Sequence, residues 1–202
     1  MVQNNIFVIN MARNKEFDYD EKLKIVRNLF WEKGYRGTSM QDIVEALELN
    51  KSSIYNTYGN KHNLFLESLD NYAQMKTKQY KHAANFKGSA FSVLSNIVHD
   101  VLNQTIKDKK ACLIVRTIFE LGDSDEKVNS LITENSKELE EIFKDLIKKA
   151  KLEGEIRNDI LPEVAARYLL SAFSGFYKHY VLSGSKKEVE EMIDFMLDSM
   201  KA

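Results

Sequence analysis

Apolar side chains recur along this chain at intervals of three and four residues, the period of one face of an α-helix. Between Asp18 and Lys33 the set is Leu23, Val26, Leu29 and Phe30. Asp18, Asp20 and Glu21 stand at its start, where the helix dipole favours anions, and Gly34 is expected to end it. A second helix is predicted from Thr38 or Ser39. Thr38-x-x-Gln41 has capping-box spacing, and Ile43 and Leu47, four apart, form an inward face. After Glu48-Leu49-Asn50 a third short helix is predicted, with Asn50 as N-cap and Gly59-Asn60 as its stop. On a helical wheel Ile54 and Tyr58 share one side of it, and Ser52, Tyr55 and Asn56 the other.

The helices then lengthen. Residues 61–84 carry Leu64, Phe65, Leu69, Tyr72 and Met75 at helical intervals, and 89–106 carry Phe91, Leu94, Val98, Val101 and Leu102. Residues 111–121 are nearly unbroken apolar, which predicts a helix buried on most sides. Residues 127–153 are amphipathic; Pro162 opens a helix to about 182, and 186–200 form the last. The pattern predicts an all-α fold of about nine helices. A three-helix head occupies 18–66, a larger helical bundle 67–202, and a loose arm 1–17. One proline and eight glycines in 202 residues agree with long helices rather than many tight turns.

Composition narrows the function classes. With 44% hydrophobic and 29% charged residues the chain can fold around a core, and a net charge of −1 excludes a bulk polycation. Cys112 is the single cysteine, so neither an intramolecular disulfide nor a multi-cysteine zinc site is expected; the natural setting is a reducing cytoplasm. The apolar run Ile6–Ile9 is too short for a signal peptide or a membrane span. None of the four histidines lies in a Glu-x-x-His or His-Glu-x-x-His pattern, and there is no phosphate-binding or dinucleotide glycine motif. An enzyme, a metal or a cofactor is therefore not expected.

Two short helices joined by about three residues and braced by a first make a helix-turn-helix unit. No acidic residue lies between Glu48 and Glu67, while Lys51 and Lys61 bracket the third helix, so that stretch offers a phosphate backbone only cationic and neutral groups. The string Leu29-Phe30-x-x-x-Gly34-Tyr35-x-x-Thr38-Ser39-Met40-x-Asp42-Ile43, followed by Asn50-Lys51-Ser52-Ser53-Ile54-Tyr55-x-x-Tyr58-x-x-Lys61-x-x-Leu64, closely resembles the DNA-binding region of TetR-family regulators. The resemblance covers about residues 18–66. It implies a head that binds a pseudo-palindromic DNA operator, and a divergent C-terminal body that dimerises and binds a small-molecule effector.

Carried over by position, Thr38 and Ser39 resemble hydroxyl residues that cap the second helix and touch phosphate. Gln41 resembles a DNA-facing polar side chain, and Lys51, Ser52, Ser53, Tyr55 and Asn56 align with the recognition helix. Tyr55 resembles a backbone-contacting tyrosine, and Lys61 a lysine that contacts phosphate. Three positions depart from the family pattern. Glu48 replaces a small turn residue, often glycine, so the turn is expected to adopt a geometry that an ordinary residue tolerates; Ser52 and Thr57 also differ.

Two-fold dimers suit such small heads. In the last helix Val189, Ile193 and Leu197 form one stripe and Met192, Met196 and Met200 another, while Ala165, Ala172 and Gly175 permit close approach of the preceding helix. Both helices are expected to join a partner's in a four-helix bundle; the alternative use of such faces is to close the monomer's own core. Candidates for the effector pocket are Tyr72, Met75, Phe91, His99, Cys112, Val115, Phe119, Phe143, Phe173 and Tyr177. Cys112 opens its helix beside Lys109 and Lys110, a setting in which thiols react readily, so a redox signal and an inert core cysteine both stay open. The competing reading of the whole chain is a helical adaptor that binds protein rather than DNA.

Overall fold

The computed structural model of the chain describes residues 18–108 and 110–202; the N-terminal arm and Lys109 lie outside the described residues. Among the described residues there are nine helices. They are α1 (Tyr19–Gly37), α2 (Met40–Leu47), α3 (Lys51–Tyr58), α4 (Lys61–Ala84), α5 (Ala90–Asp108), α6 (Leu113–Leu121), α7 (Glu126–Leu152), α8 (Pro162–Ser183) and α9 (Lys186–Asp198). The one β feature among them is an isolated bridge between Ile156 and Lys201, which ties the C-terminus to the loop after α7. The all-α architecture expected from the periodicity is what the chain adopts.

Two hydrophobic clusters fill the molecule. The first joins Leu23, Val26 and Phe30 of α1, Ile43 and Leu47 of α2, Ile54 and Tyr58 of α3, and Leu64, Phe65, Leu69 and Tyr72 of α4. It also takes in Leu113 and Leu121 of α6 and Val128 and Ile132 of α7. The second is built from α5, α7, α8 and α9, with Tyr80, Ala83 and Ala84 of α4 packed against it. The head expected at 18–66 thus shares its core with later elements, and its boundary falls inside the continuous α4. A head of under fifty residues buries too little apolar surface to be secure alone, which is a physical reason for the sharing.

Local chemistry sets the helix ends. The Asp18 side chain accepts from the Asp20 and Glu21 amides, Asn60 caps α4, and Asp125 caps α7. Gly34 has φ 78° and ψ 171°, so regular helix does stop there, but one more turn runs on to Gly37 before the chain leaves α1. The capping box of α2 is formed by Ser39 and Asp42, not by Thr38 and Gln41. Asp42 wins because its carboxylate accepts from both the Ser39 amide and the Ser39 hydroxyl, each at 2.7 Å.

Three further expectations are corrected. Helix α6 is not buried on most sides: Leu113, Thr117 and Leu121 face inward, while Ile118 and Phe119 are exposed, Phe119 by 83%. The stripe Val189, Ile193, Met196, Leu197 and Met200 belongs to the chain's own second core, as does Ala165. Those side chains have no surface left for a partner. Finally, Glu48 keeps the left-handed geometry of the turn, with φ 53° and ψ 35°, the only positive-φ non-glycine residue described. A side chain in that region meets its own carbonyl, at a cost of roughly 1–2 kcal/mol.

Glu48→Gly removes that strain but adds backbone freedom to the unfolded chain. The substitution is expected to stabilise the fold by about 0.5–1 kcal/mol, read as a rise in the urea midpoint at unchanged slope.

Candidate nucleic-acid interface

Helix α3 is held in place by its buried side and its two ends. Ile54 and Tyr58 are buried, the Asn50 carboxamide accepts from the Ser53 amide at 2.8 Å, and Gly59 closes the C-terminus with φ 77°. Eight residues make a helix too short to persist in water by itself, so these anchors carry its conformation. What remains outward includes the wheel's Ser52, Tyr55 and Asn56, all exposed; Lys51 is exposed too and Ser53 is half-buried. The Lys51 ammonium sits 5.8 Å from the Tyr55 ring centroid, and Thr57 returns its hydroxyl to the Ser53 carbonyl at 2.9 Å.

The flanking positions divide. Ser39 and Gln41 lie at the surface of α2, with the Gln41 amide donating to Glu45 at 2.9 Å. Thr38 does not join them. It is fully buried and its hydroxyl donates to the Gly34 carbonyl at 2.6 Å, so its role is to pin the α1–α2 corner rather than to reach phosphate. Lys61, in the first turn of α4, is half-buried with its ammonium 4.4 Å above the Tyr35 ring. Burial draws the Lys61 pKa below its ordinary value, and Glu120 and Asp42 partly offset that.

Sequence reasoning missed two residues that shape this corner. Arg116 and Glu120 reach from α6 to the broken end of α1. The available signal was an oppositely charged i,i+4 pair inside an otherwise apolar run.

Between α1, α4, α5 and the start of α6 lies a partly open cavity of about 240 Å³, lined by Trp31, Tyr72, Tyr80 and Val101 and edged by Lys110 and Cys112. Of the ten expected pocket residues, Tyr72 and Cys112 line it. Burial, reinforced by the adjacent Cys112 thiol, lifts the Tyr72 phenol far above its ordinary pKa. Phe173 and Tyr177 border a separate narrow crevice with Val98 and Ile193. The others are corrected. Phe143 and Phe91 are core, His99 faces Asp194 at 3.2 Å, Met75 receives Arg27 at 3.5 Å, Val115 is half-buried outside the cavity, and Phe119 is on the surface.

The second residue set offered for dimerisation is also redrawn by exposure. Leu161, Val164, Tyr168, Gly175 and Leu182 are exposed along α8 and its start, and Met192 and Phe195 along α9. A side chain built on Gly175 would meet nothing within 4 Å. Ala172 is half-buried beside this face.

Comparison with known proteins agrees with this geometry. Residues 26–68 match the family of bacterial regulatory proteins described as the tetR family, and residues 93–196 match the tetracyclin repressor-like C-terminal domain. The chain is also 33% identical, over 79% of its length and 84% of the relative's, to the uncharacterized HTH-type transcriptional regulator YezE of Bacillus subtilis (strain 168). The chain belongs to the TetR family. It is a DNA-binding transcriptional regulator with a helix-turn-helix head and a helical body. The chain is also similar to the HTH-type transcriptional repressor ComR of Escherichia coli (strain K12), 33% identical over 59% of each chain. Among solved structures, reduced NemR of E. coli superposes with a TM-score of 0.82 at 16% identity, covering 91% of this chain and 96% of that one. A cysteine mutant of the TetR-family regulator CifR, complexed with 26-bp operator DNA, gives 0.79 at 19% identity, covering 94% and 100%. At those identities the two structures speak for the fold. TetR-family regulators are in general non-enzymatic.

The α2 capping box makes an acid-sensitive test. Lys33 first, then Ser39, hold the Asp42 carboxyl well below its ordinary pKa. A depressed folded-state pKa gives stability that is complete above the unfolded value, about 4, and lost as pH falls through the folded one. Asp42→Asn is therefore expected to lower the unfolding midpoint at neutral pH, with the gap to the parent closing as pH drops below about 4.

Proposed function

We propose that this TetR-family chain is a repressor that binds a pseudo-palindromic operator as a homodimer and releases it when a small molecule occupies the cavity between α1, α4, α5 and α6. The observation that carries the reading is the outward face of α3. It is anchored at both ends, free of acidic groups from Leu49 to Leu66, and furnished with short polar side chains. Ser52, Ser53 and Asn56 are of the size and chemistry that reach base edges in a major groove, with Lys51 and Gln41 beside them. Ser39, Tyr55 and Lys61 are assigned to phosphate, contacts that fix register without reading sequence. In this reading residues 18–66 are the DNA-binding head and 67–202 the effector-binding and dimerisation body.

The dimer is assigned to the exposed face of α8 and α9. Leu161, Val164 and Tyr168 follow one another at three- and four-residue spacing at the start of α8, and Met192 and Phe195 extend the patch across α9. Contiguous exposed apolar area of this kind marks an association surface, and Gly175 with Ala172 lets a partner helix come close. The cavity lining mixes aromatic and aliphatic side chains with polar and charged ones such as Gln104, Asp100 and Lys76, a combination that can hold and orient a small molecule. Cys112 at its edge makes a thiol-directed signal a second way to perturb the same site. No described helix is long and apolar enough to cross a membrane, and a cytoplasmic location without metal, cofactor or catalytic activity completes the proposal.

Duplexes selected from random DNA should converge on an inverted repeat, with affinity falling steeply as salt rises. A protein-binding adaptor would show neither. On the selected duplex, Lys61→Ala should weaken binding to all sequences alike and reduce the salt slope by about 1, whereas Asn56→Ala or Ser53→Ala should shift sequence preference by about 1–3 kcal/mol at individual positions. Phe195→Asp should sediment as a monomer and lose high-affinity binding while keeping its helical circular dichroism.

A further inference from the structure

Gly34 breaks α1 in its last turns, and the break has a cost. In an unbroken helix the amides of Tyr35 and Arg36 would donate to the carbonyls of Trp31 and Glu32. The torsions of Gly34 turn those groups away from each other. Helix α6 supplies replacements for all four. Glu120 accepts from the Tyr35 amide at 3.0 Å and from the Arg36 amide at 2.6 Å. Arg116, one turn earlier on α6, donates to the Trp31 carbonyl at 3.1 Å and to the Glu32 carbonyl at 3.0 Å.

The fit depends on glycine. A Cβ at Gly34 would lie 2.7 Å from Glu120 Oε2 and 3.1 Å from an Arg116 guanidinium nitrogen. The Gly34 carbonyl meanwhile receives the buried Thr38 hydroxyl, which fixes the step into α2. The orientation of α2 and α3 is thus hydrogen-bonded, through one corner, to α6.

The other end of α6 lies at the cavity. Cys112, its N-cap, lines the wall, and the Ala111 carbonyl accepts from the Trp31 indole at 2.6 Å. Lys110 stacks on the same indole at 4.6 Å. Trp31 is therefore a cavity wall by its side chain and a partner of Arg116 by its carbonyl. From Leu113 to Leu121 the helix is about 13 Å long, a rigid rod between cavity and head.

We propose that Arg116 and Glu120 are the coupling residues of this regulator: by completing the broken end of α1 they convert displacement of α6 at the cavity into displacement of the recognition helix. This rests on the operator-binding reading above and adds to it the route of the signal. Both are positioning residues; neither is assigned a contact with DNA or effector.

The cavity can be filled without knowing the effector, by alkylating Cys112, the only cysteine, with N-ethylmaleimide, or independently by Val101→Trp. Each filling is expected to weaken binding to the selected duplex at least tenfold and to raise amide hydrogen exchange at Tyr35 and Arg36. In Arg116→Met/Glu120→Gln, shown to fold by circular dichroism, the filled-to-unfilled affinity ratio should collapse to within twofold of one. Exchange at the two amides should be fast whether or not the cavity is filled. Retention of the parent's ratio in the double variant overturns the proposal. So does a parent in which neither filling changes exchange at Tyr35 and Arg36. Failure of the unmodified parent to select any duplex would instead remove the operator-binding reading, and the exchange measurement would still decide whether α6 carries strain from the cavity to the head.

Discussion

The molecule depends on how it treats four backbone groups at one glycine. Buried or half-buried amides and carbonyls need partners, and a helix interrupted at Gly34 loses those of Trp31, Glu32, Tyr35 and Arg36 together. One guanidinium and one carboxylate, spaced a turn apart on α6, provide two donors and two acceptors in matching order. Arg116 Nη1 donates to both carbonyls, and each of the two Glu120 carboxylate oxygens accepts from one of the adjacent amides. With that corner set, Thr38 can turn the chain, Ser39 and Asp42 can start α2, and Asn50 can start α3 at a defined angle.

The same arrangement explains why head and body share one core. Leu113 and Leu121 of α6 and Val128 and Ile132 of α7 are buried among head residues. The recognition helix, only eight residues long, is oriented by what lies beneath it rather than by its own stability. Such a head cannot rotate freely on a linker. Helix α4 itself crosses from one hydrophobic cluster to the other. The His62–Asp125 pair at 2.5 Å, joining the first turn of α4 to the cap of α7, adds a second polar tie across the same seam.

Periodicity and caps made the helix count, the outward face of α3 and the Asn50 cap legible, because those are decided within a turn or two of sequence. What was not legible depended on distant residues. The partner of the Tyr35 amide stands 85 positions away, so nothing near Gly34 announces it. Thr38 and Ser39 are neighbours of similar chemistry, and only the burial of one by the α1–α2 corner separates their roles. The apolar run at 111–121 suggested enclosure, but Phe119 points to solvent, since the run is packed on one side only. In α9 the more regular stripe proved to be core, and the apolar side chains left exposed are Met192 and Phe195, which local pattern ranks no higher. Glu48 shows the limit of arguing from residue type: the turn kept its left-handed geometry and the residue bears the strain.

Magnitudes decide whether so small a junction can transmit a signal. A tenfold change in affinity corresponds to about 1.4 kcal/mol. A hydrogen bond contributes about 0.5–1.5 kcal/mol net, more when one partner is charged and less where water can replace it. Two of the four bonds at Gly34 are part-buried and two exposed. Loosening the part-buried pair alone is then worth about one to three kcal/mol. That already matches the free energy of a tenfold response, and a dimer engages two such corners on one operator. A regulator needs a junction whose disruption matters to DNA affinity but not to folding. Four bonds at the edge of a core that stays intact satisfy both conditions, whereas a buried apolar contact such as Phe30 on Phe65, with ring centroids 5.0 Å apart, could not be broken without unfolding the head.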